Sequence, residues 1–395
     1  MNILLVSQHY YPENFRINDI AEELVKRGNQ VTVLCGYPNY QTGYIYDGYK
    51  GKDGKKHKQE IVNGVKIIRS YEHPRKKGAF NLFLNFYSVA LSMKRTAKKL
   101  KGNFDCVLIN QLTPVMQAWS GLWYARKHKI PAILYCYDLW PDSLVAGGIK
   151  HNSIIFKYFY RVSNRIYKKA TKILVTSKNF IDYFRKIHKI NDKEILYLPQ
   201  YCEDMFSDIK TIPNNSGMYN YVFAGNVGNV QSVETIIKAA NLVKDDKSIK
   251  IHIVGDGSKL GDCEKMCKEL KLDNVVFYGK RPLEEMNKFY EMASAMIVTL
   301  SKDEIISKTL PGKVQSYMAA GKPIIASIDG EANEIICEAK CGLVCNSEDF
   351  ETLADLFIKM KTCDVDQMSK NSKKYYLDNF NKELFFEKLL KYMEE

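Results

Sequence analysis

The sequence predicts an α/β protein built from two Rossmann-like domains, each a parallel sheet with helices on its faces. Three observations carry that expectation. Short apolar runs alternate with segments of helical spacing along almost the whole chain. The alternation begins twice, with a strand, a turn-forming loop and a helix at residue 2 and the same order again at residue 221. At 395 residues the chain is too long for one ordinary core and long enough for two. We expect an N-terminal domain over residues 1–200 and a C-terminal domain over 201–379, joined by the polar, turn-rich stretch 207–219.

Composition narrows the class. A hydrophobic content of 46% with 26% charged residues describes folded protein and excludes a disordered chain. The formal charge of +13 suits nucleic acid, an anionic membrane or small anionic substrates. No nucleic-acid module is present, so nucleic acid is not expected as a partner. The ten cysteines are scattered and several sit in apolar runs, as in a reduced compartment. Cys337, Cys341 and Cys345 are evenly spaced but include no CxxC pair, and no metal is expected there. The apolar start is too short for a signal peptide, and no apolar stretch reaches about 18 residues. A cytoplasmic protein is the expectation.

In the first half, residues 2–7 read as a buried strand closed by the turn-like HYYPEN. Ile17, Ile20, Ala21, Leu24 and Val25 recur at helical spacing up to Arg27-Gly28, and 31–34 is the second strand. No GxGxxG follows the first strand, so no dinucleotide cofactor is expected. Arg16 in that loop can meet a phosphate or lie free on the surface. Residues 38–59 are polar, rich in Tyr, Gly and Lys, and read as a long loop before a strand at 65–69. Residues 75–101 have an apolar middle, 79–93, between Arg75, Lys76 and Lys77 on one side and Lys94, Arg95, Lys98, Lys99 and Lys101 on the other. That is too short to cross a bilayer; it can lie on an anionic membrane surface or pack as a core helix. Residues 157–172 have the same basic, aromatic character. Strands follow at 105–110, 132–137, 173–176 and 195–198. Asp138-Leu139-Trp140-Pro141-Asp142-Ser143 comes directly after one of them, where open parallel sheets bind ligands. Asp138 and Asp142 there suit an acid, a base or a sugar-hydroxyl acceptor, or else cap a helix.

In the second half, 221–224 is a strand, and Gly225-Asn226-Val227-Gly228-Asn229 leads into a helix carrying Val233, Ile236, Ile237 and Ala240. Such a glycine loop can cradle phosphate. Strands at 249–254 and 275–279 end in Gly255-Asp256-Gly257 and Lys280-Arg281, and 295–300 is the next strand. A turn with Pro311 and Gly312 then opens a helix bearing Val314, Tyr317 and Met318 that closes at Gly321. Unpaired N–H groups, the helix dipole and Lys313 favour an anion at that turn; the alternative is an ordinary loop–helix–strand unit. A strand at 323–327, a break at Gly330 and a helix follow, and the last helix carries Phe385, Phe386, Leu389 and Leu390.

The run Pro311-Gly312-Lys313 followed by Tyr317-Met318-Ala319-Ala320-Gly321-Lys322-Pro323 resembles the donor-site segment of retaining GT-B glycosyltransferases of the family-4 class. Asp138 to Ser143 and the wording of the 38–59 loop resemble the subset that builds capsule and lipopolysaccharide. The family's paired glutamates, eight positions apart, fall on Lys308 and Ser316, and its diphosphate-binding Arg and Lys on Asn226 and Gln231. Many relatives outside the subset have His at Tyr137. The resemblance implies a GT-B fold with an interdomain cleft, the terminal helix at about 380–395 crossing back to complete the first domain. It implies a donor site at Gly225, Asn226, Val227, Gly228, Gly255, Lys280, Arg281, Lys308, Pro311, Gly312, Lys313, Ser316 and Glu334, the last of which can instead cap its helix. Arg16 falls on the acceptor and phosphate side, with Asp138 and Asp142 as the catalytic pair and no metal or cofactor. The implied reaction moves a sugar of the N-acetylated hexosamine type, with retention, from a UDP-linked rather than a GDP-linked donor. The acceptor is lipid-linked or a glycan of bacterial surface polysaccharide, at the inner face of the plasma membrane. The rivals are a GT-B sugar-nucleotide epimerase and a non-catalytic membrane or polyanion binder.

Overall fold

Asn2–Val6, the first strand (β1), is paired on both sides, and every residue of it after Ile3 is buried. A computed structural model describes residues 1–76, 78–145, 148–209 and 217–395. Two compact units emerge: Met1–Thr176 with Phe180–Leu198 and Leu389–Glu395, and Ser177–Asn179 with Pro199–Lys388. Part of the polar 207–219 stretch, residues 210–216, and Lys77 of the basic run lie outside the described residues.

In the first unit, β1 is joined by β2 (Gln30–Cys35), β3 (Gln59–Val62), β4 (Val65–Arg69), β5 (Cys106–Gln111), β6 (Ala132–Cys136), β7 (Lys172–Val175) and β8 (Ile195–Tyr197). Their order is β3-β4-β2-β1-β5-β6-β7-β8, parallel throughout except at β3. Among the described residues the helices that accompany them are α1 (Arg16–Lys26), α2 (Gly51–Lys56), α3 (Ala79–Ala97), α4 (Ala118–His128), α5 (Ile154–Lys169) and α6 (Asn179–Lys186). α1 turns Ile17, Ile20, Ala21 and Leu24 onto the sheet, the spacing that one helical face requires. α4 approaches so closely that a Cβ on Gly121 would stand 2.9 Å from the Ile109 side chain.

Residues 38–59 are not one loop: they contain α2, and β3 starts at Gln59 as an antiparallel edge strand. The two residues between β3 and β4 are Asn63 and Gly64, with φ of 49° and 80°, and Val62 pairs with Val65 across them. Positive φ at both central positions makes this the tight hairpin turn that Asn-Gly favours.

The second unit has six parallel strands: β9 (Tyr219–Ala224), β10 (Ile249–Val254), β11 (Val275–Gly279), β12 (Ala295–Thr299), β13 (Ile324–Ser327) and β14 (Gly342–Cys345). Their order, β11-β10-β9-β12-β13-β14, reverses direction between β9 and β12, and ligands sit beyond the carboxyl ends at such a point. The helices are α7 (Val233–Leu242), α8 (Leu260–Glu269), α9 (Met286–Met292), α10 (Gly312–Ala319), α11 (Glu331–Glu338), α12 (Phe350–Met360), α13 (Val365–Asn379) and the start of α14 (Lys382–Glu394), whose residues from Leu389 on belong to the first unit. β9 serves two cores at once: Tyr221 and Phe223 enter one, Val222 and Ala224 the other. Cys337 lies on α11, Cys341 in the following turn and Cys345 on β14; among the described residues no group of metal-ligand type is gathered. Among them, too, no helix is long and apolar enough to cross a membrane.

Gly64 tests the hairpin. A Cβ there would meet Val25 at 2.8 Å in a left-handed backbone. Gly64→Ala should therefore destabilise the protein by about 1–2 kcal/mol, read as a lower melting temperature of the full chain, whereas Asn63→Gly should be close to neutral.

Candidate functional site

The site grows from the junction of α10 with β9. Tyr317 is wholly buried on α10, and its hydroxyl accepts from the Ala224 N–H at 3.1 Å and stands 3.2 Å from the Ala224 carbonyl, to which it donates. One side chain thus serves both backbone groups at the end of β9, where the sheet ladder runs out. Lys322, also buried, donates to the carbonyls of Ala293 and Glu291 at 3.1 and 3.3 Å, closing the C-terminal end of α9. Burial pushes its amine down to about 8. The Tyr-Met-Ala-Ala-Gly-Lys-Pro run is therefore mostly scaffold, and the ligand side is presented by the residues before it.

Beyond Ala224 the chain turns through Gly225, φ 149°, and beyond Val254 through Gly255, also φ 149°. The two turns touch: a Cβ on Gly255 would sit 1.7 Å from the Gly225 carbonyl oxygen, and one on Gly257 would sit 2.3 Å from that of Val227. Backbone bonds lock them, Gly225 N–H to Val254, Val227 N–H to Asp256 and Gly255 N–H to Gly279, all at 2.9 Å. Only glycine permits this approach. The result is a floor of backbone under a cavity of about 630 Å³.

Of the residues expected to hold a donor, Gly225, Asn226, Gly255, Lys280, Arg281, Lys313 and Ser316 line this cavity. The others do not. Val227 is buried beneath it. Gly228 lies in the adjoining turn, and Pro311 and Gly312 are the N-cap and first residue of α10. Lys308 turns to Glu304, with which it pairs at 2.8 Å. Glu334 is exposed in the first turn of α11, a helix whose N-cap is Gly330 and which has no side-chain cap, so it does not act as one. Asn226 donates to Gln231 at 3.0 Å, so the two neutral residues in place of the family's cations bind each other. Sequence reading missed the opposite wall. Phe206 and Tyr290 stack there at 4.6 Å, beside Leu283 and Met286. They come from elements far apart in sequence, and no local pattern links them.

Lys313 is the unusual member. Its stem is half-buried but its Nζ is wholly enclosed and has no hydrogen-bond partner among the described residues. The amine stands 3.9 Å from the centre of the Phe223 ring and would be 3.1 Å from a Cβ on Gly225. Burial without a counter-ion lowers it to about 7. The cavity thus has an apolar, aromatic wall, two exposed cations at Lys280 and Arg281, and a dry amine beside a backbone floor. That combination fits a ligand with a flat apolar part and a doubly charged anionic part.

The first unit carries the other expected residues. Asp138 follows β6, and its Oδ2 accepts from the Thr113 hydroxyl at 2.9 Å. Thr113 in turn accepts from the indole N–H of the buried Trp140 at 2.7 Å. Burial raises the Asp138 carboxyl above its usual range, with Thr113 opposing. Asp142 is nearly buried, accepts from the Tyr183 hydroxyl and lies 3.6 Å from His151. It anchors the loop, and Asp138 is the carboxylate placed at the strand end. Arg16 opens α1, 3.9 Å from Asp19, and acts by its charge on the buried Tyr137 hydroxyl.

Comparison with known proteins bears on both halves. Residues 205–375 match the family described as Glycosyl transferases group 1, and residues 15–200 match Glycosyltransferase Family 4. The chain is 26% identical over 317 residues to the probable glycosyltransferase WbjE of Pseudomonas aeruginosa, covering 77% of each chain. It is 28% identical over 355 residues to the putative colanic acid biosynthesis glycosyl transferase WcaI of Escherichia coli, covering 81% of this chain and 82% of that one. The crystal structure of Anabaena Alr3699/HepE in complex with UDP shares the fold over the whole of both chains, with a TM-score of 0.72 at 13% identity.

Lys313 makes a pH test. Free, its amine is mostly neutral above pH 7; beside a diphosphate it is held charged. Binding of a nucleoside diphosphate at pH 8 should therefore take up a proton, and affinity should fall as pH rises from 7, by up to about tenfold per unit. Calorimetry in two buffers of different ionisation enthalpy reads the proton directly. Lys313→Met should abolish the uptake and cost roughly 1–3 kcal/mol of binding at pH 7. Equal proton uptake in both proteins would remove Lys313 from the ligand.

Proposed function

We propose, from the premise that this chain is a GT-B glycosyltransferase, that it moves a sugar from a UDP-linked donor held in the second unit to an acceptor addressed by Asp138 in the first. The observation that carries this reading is the partnerless amine of Lys313 above the Gly225–Gly255 floor. In this reading the diphosphate lies on that floor and supplies the missing counter-ion, and the base lies toward Phe206 and Tyr290. UDP in the structure of Alr3699/HepE supports uridine as the base. The relative named for colanic acid biosynthesis supports a lipid-linked or glycan acceptor of bacterial surface polysaccharide. The sugar we assign is of the N-acetylated hexosamine type.

The chemistry follows from what the cavity stabilises. Breaking the bond between sugar and diphosphate places negative charge on the leaving oxygen. Lys313, charged in the complex, and the N–H groups opening α10 meet that charge without reorganising. No glutamate stands at Lys308 or Ser316 to act as a nucleophile. The acceptor then enters from the side the diphosphate leaves, the departing phosphate oxygen takes the acceptor proton, and configuration is retained. Asp138, fixed by Thr113 and Trp140, orients the acceptor hydroxyl. The exposed apolar and basic side chains of α3 and α5 support residence on a membrane surface.

Asp138→Asn keeps the volume and removes the charge. Turnover with a lipid-linked acceptor should fall roughly 10²–10⁴-fold at an unchanged melting temperature. Near-normal turnover would remove Asp138 from the reaction, and a matching loss of melting temperature would make it structural.

A further inference from the structure

The first unit holds a second cavity, and nothing in the transfer reaction uses it. α3 packs against α4 and α4 against α5. None of these three helices contains an Asp or a Glu. Between them lies a cavity of about 430 Å³, walled by Trp119 and Trp123 and rimmed by Lys94, Arg126, Arg165 and Lys169. Its lining includes no carboxylate. Two more cations, Lys98 and Lys127, stand over the Trp123 ring at 5.8 and 5.1 Å. Like charges gathered without counter-ions raise the local potential, and an anion seated among them relieves it.

The same layer continues into an apolar surface. Trp119 meets Tyr87 at 6.1 Å, Tyr87 meets Phe83 at 4.5 Å, and the hydroxyls of Tyr87 and Tyr158 are 2.8 Å apart. Around that bridge, Phe80 is 73% exposed and Ile154 86%, with Phe83 and Ile155 exposed beside them. The first turns of α3 and α5 are thus apolar, and their last turns are basic around the cavity. A bilayer leaflet offers the matching pair within one molecule, acyl chains next to phosphate.

We propose that the α3–α4–α5 cavity is a headgroup site for an anionic phospholipid, and that it seats the protein on a membrane with Phe80, Phe83 and Ile154 in the interface. The phosphate lies among Lys94, Arg126, Arg165 and Lys169. The two arginines supply paired N–H donors, which suit phosphate oxygens better than a point charge does. The indoles flank the headgroup, as Trp does at membrane interfaces. This deepens the membrane part of the proposed function and is independent of the nucleotide cavity.

The test uses the full chain and vesicles of phosphatidylcholine, alone or mixed with phosphatidylglycerol, read by flotation and titration. The protein should float only with the mixed vesicles and should be released by salt. Arg126→Glu/Arg165→Glu should lower vesicle affinity by at least about tenfold, since each basic residue at the surface contributes near 1 kcal/mol. Lys268→Glu/Lys359→Glu changes the net charge equally at exposed sites in the second unit and should lower it far less. Phe80→Ser/Ile154→Ser should also release the protein, with melting curves confirming that all variants fold. Equal losses in the two charge-reversed pairs would reduce the attraction to net charge and overturn the site. Saturable binding of inorganic phosphate, lost in Arg126→Glu/Arg165→Glu, by a protein that never floats would assign the cavity to a free anion and overturn it too. Nucleotide binding is measured on the same variants. Its absence from the unaltered protein would count against the transferase reading and leave the vesicle result standing.

Discussion

Strands covered on both faces are the constraint from which the rest follows. In β1, β6, β9 and β12 nearly every side chain is buried, so the strands have no room for polar groups along their length. The chemistry is displaced to the carboxyl ends, where the backbone leaves the ladder and its N–H and C=O groups need new partners. At β9 the Tyr317 hydroxyl meets that need, and at β6 the Gln111 side chain donates to the Asp138 carbonyl. Each repair fixes a loop, and each fixed loop presents a group: Gly225 in one unit, Asp138 in the other.

The strand ends also explain which parts of the fold were legible in the sequence. A buried parallel strand is an apolar run, so β1, β5 and β12 could be read directly, β10 by the alternation of Ile249, Ile251 and Ile253, and the second α/β start at β9 likewise. The donor-side glycines were legible for a related reason, because a turn that tolerates only glycine leaves glycine in the text. The β3–β4 hairpin was there to be read as well, in Val62-Asn63-Gly64-Val65, but a polar, Lys-rich surrounding masked it. Within 38–59, α2 has no apolar residue in GKDGKK to set a helical period, and β3, an edge strand with one solvated face, lacks the apolar run of a central one.

Other parts were not legible because they are products of distance. Phe206 and Tyr290 form one wall of the second unit's cavity although 84 positions separate them, and only the tertiary fold brings them together. Lys313 was recognised as a cation near a glycine loop. That its amine would be dry, over Phe223 and without a partner, depends on how α10 lies on β9. In sequence Asp138 stands out from Asp142 only by lying nearer the strand end; Thr113 from the loop after β5 and Tyr183 from α6 supply the contacts that separate them. The acid-free character of three adjoining helices could have been counted from the text, but their adjacency could not.

The enclosed amine of Lys313 also acts as a filter. A site whose innermost amine is lowered to about 7 by burial offers less to chloride or to a singly charged carboxylate than to a multiply charged anion, because a single charge does less to hold a proton on a buried nitrogen. In the proposed reading a pair of linked phosphates does more, and having done so it meets full charge at short range. Selectivity among anions then comes from the work of protonation rather than from a fitted shape. On the proposed reading such a site discriminates against the small singly charged ions that crowd a cell.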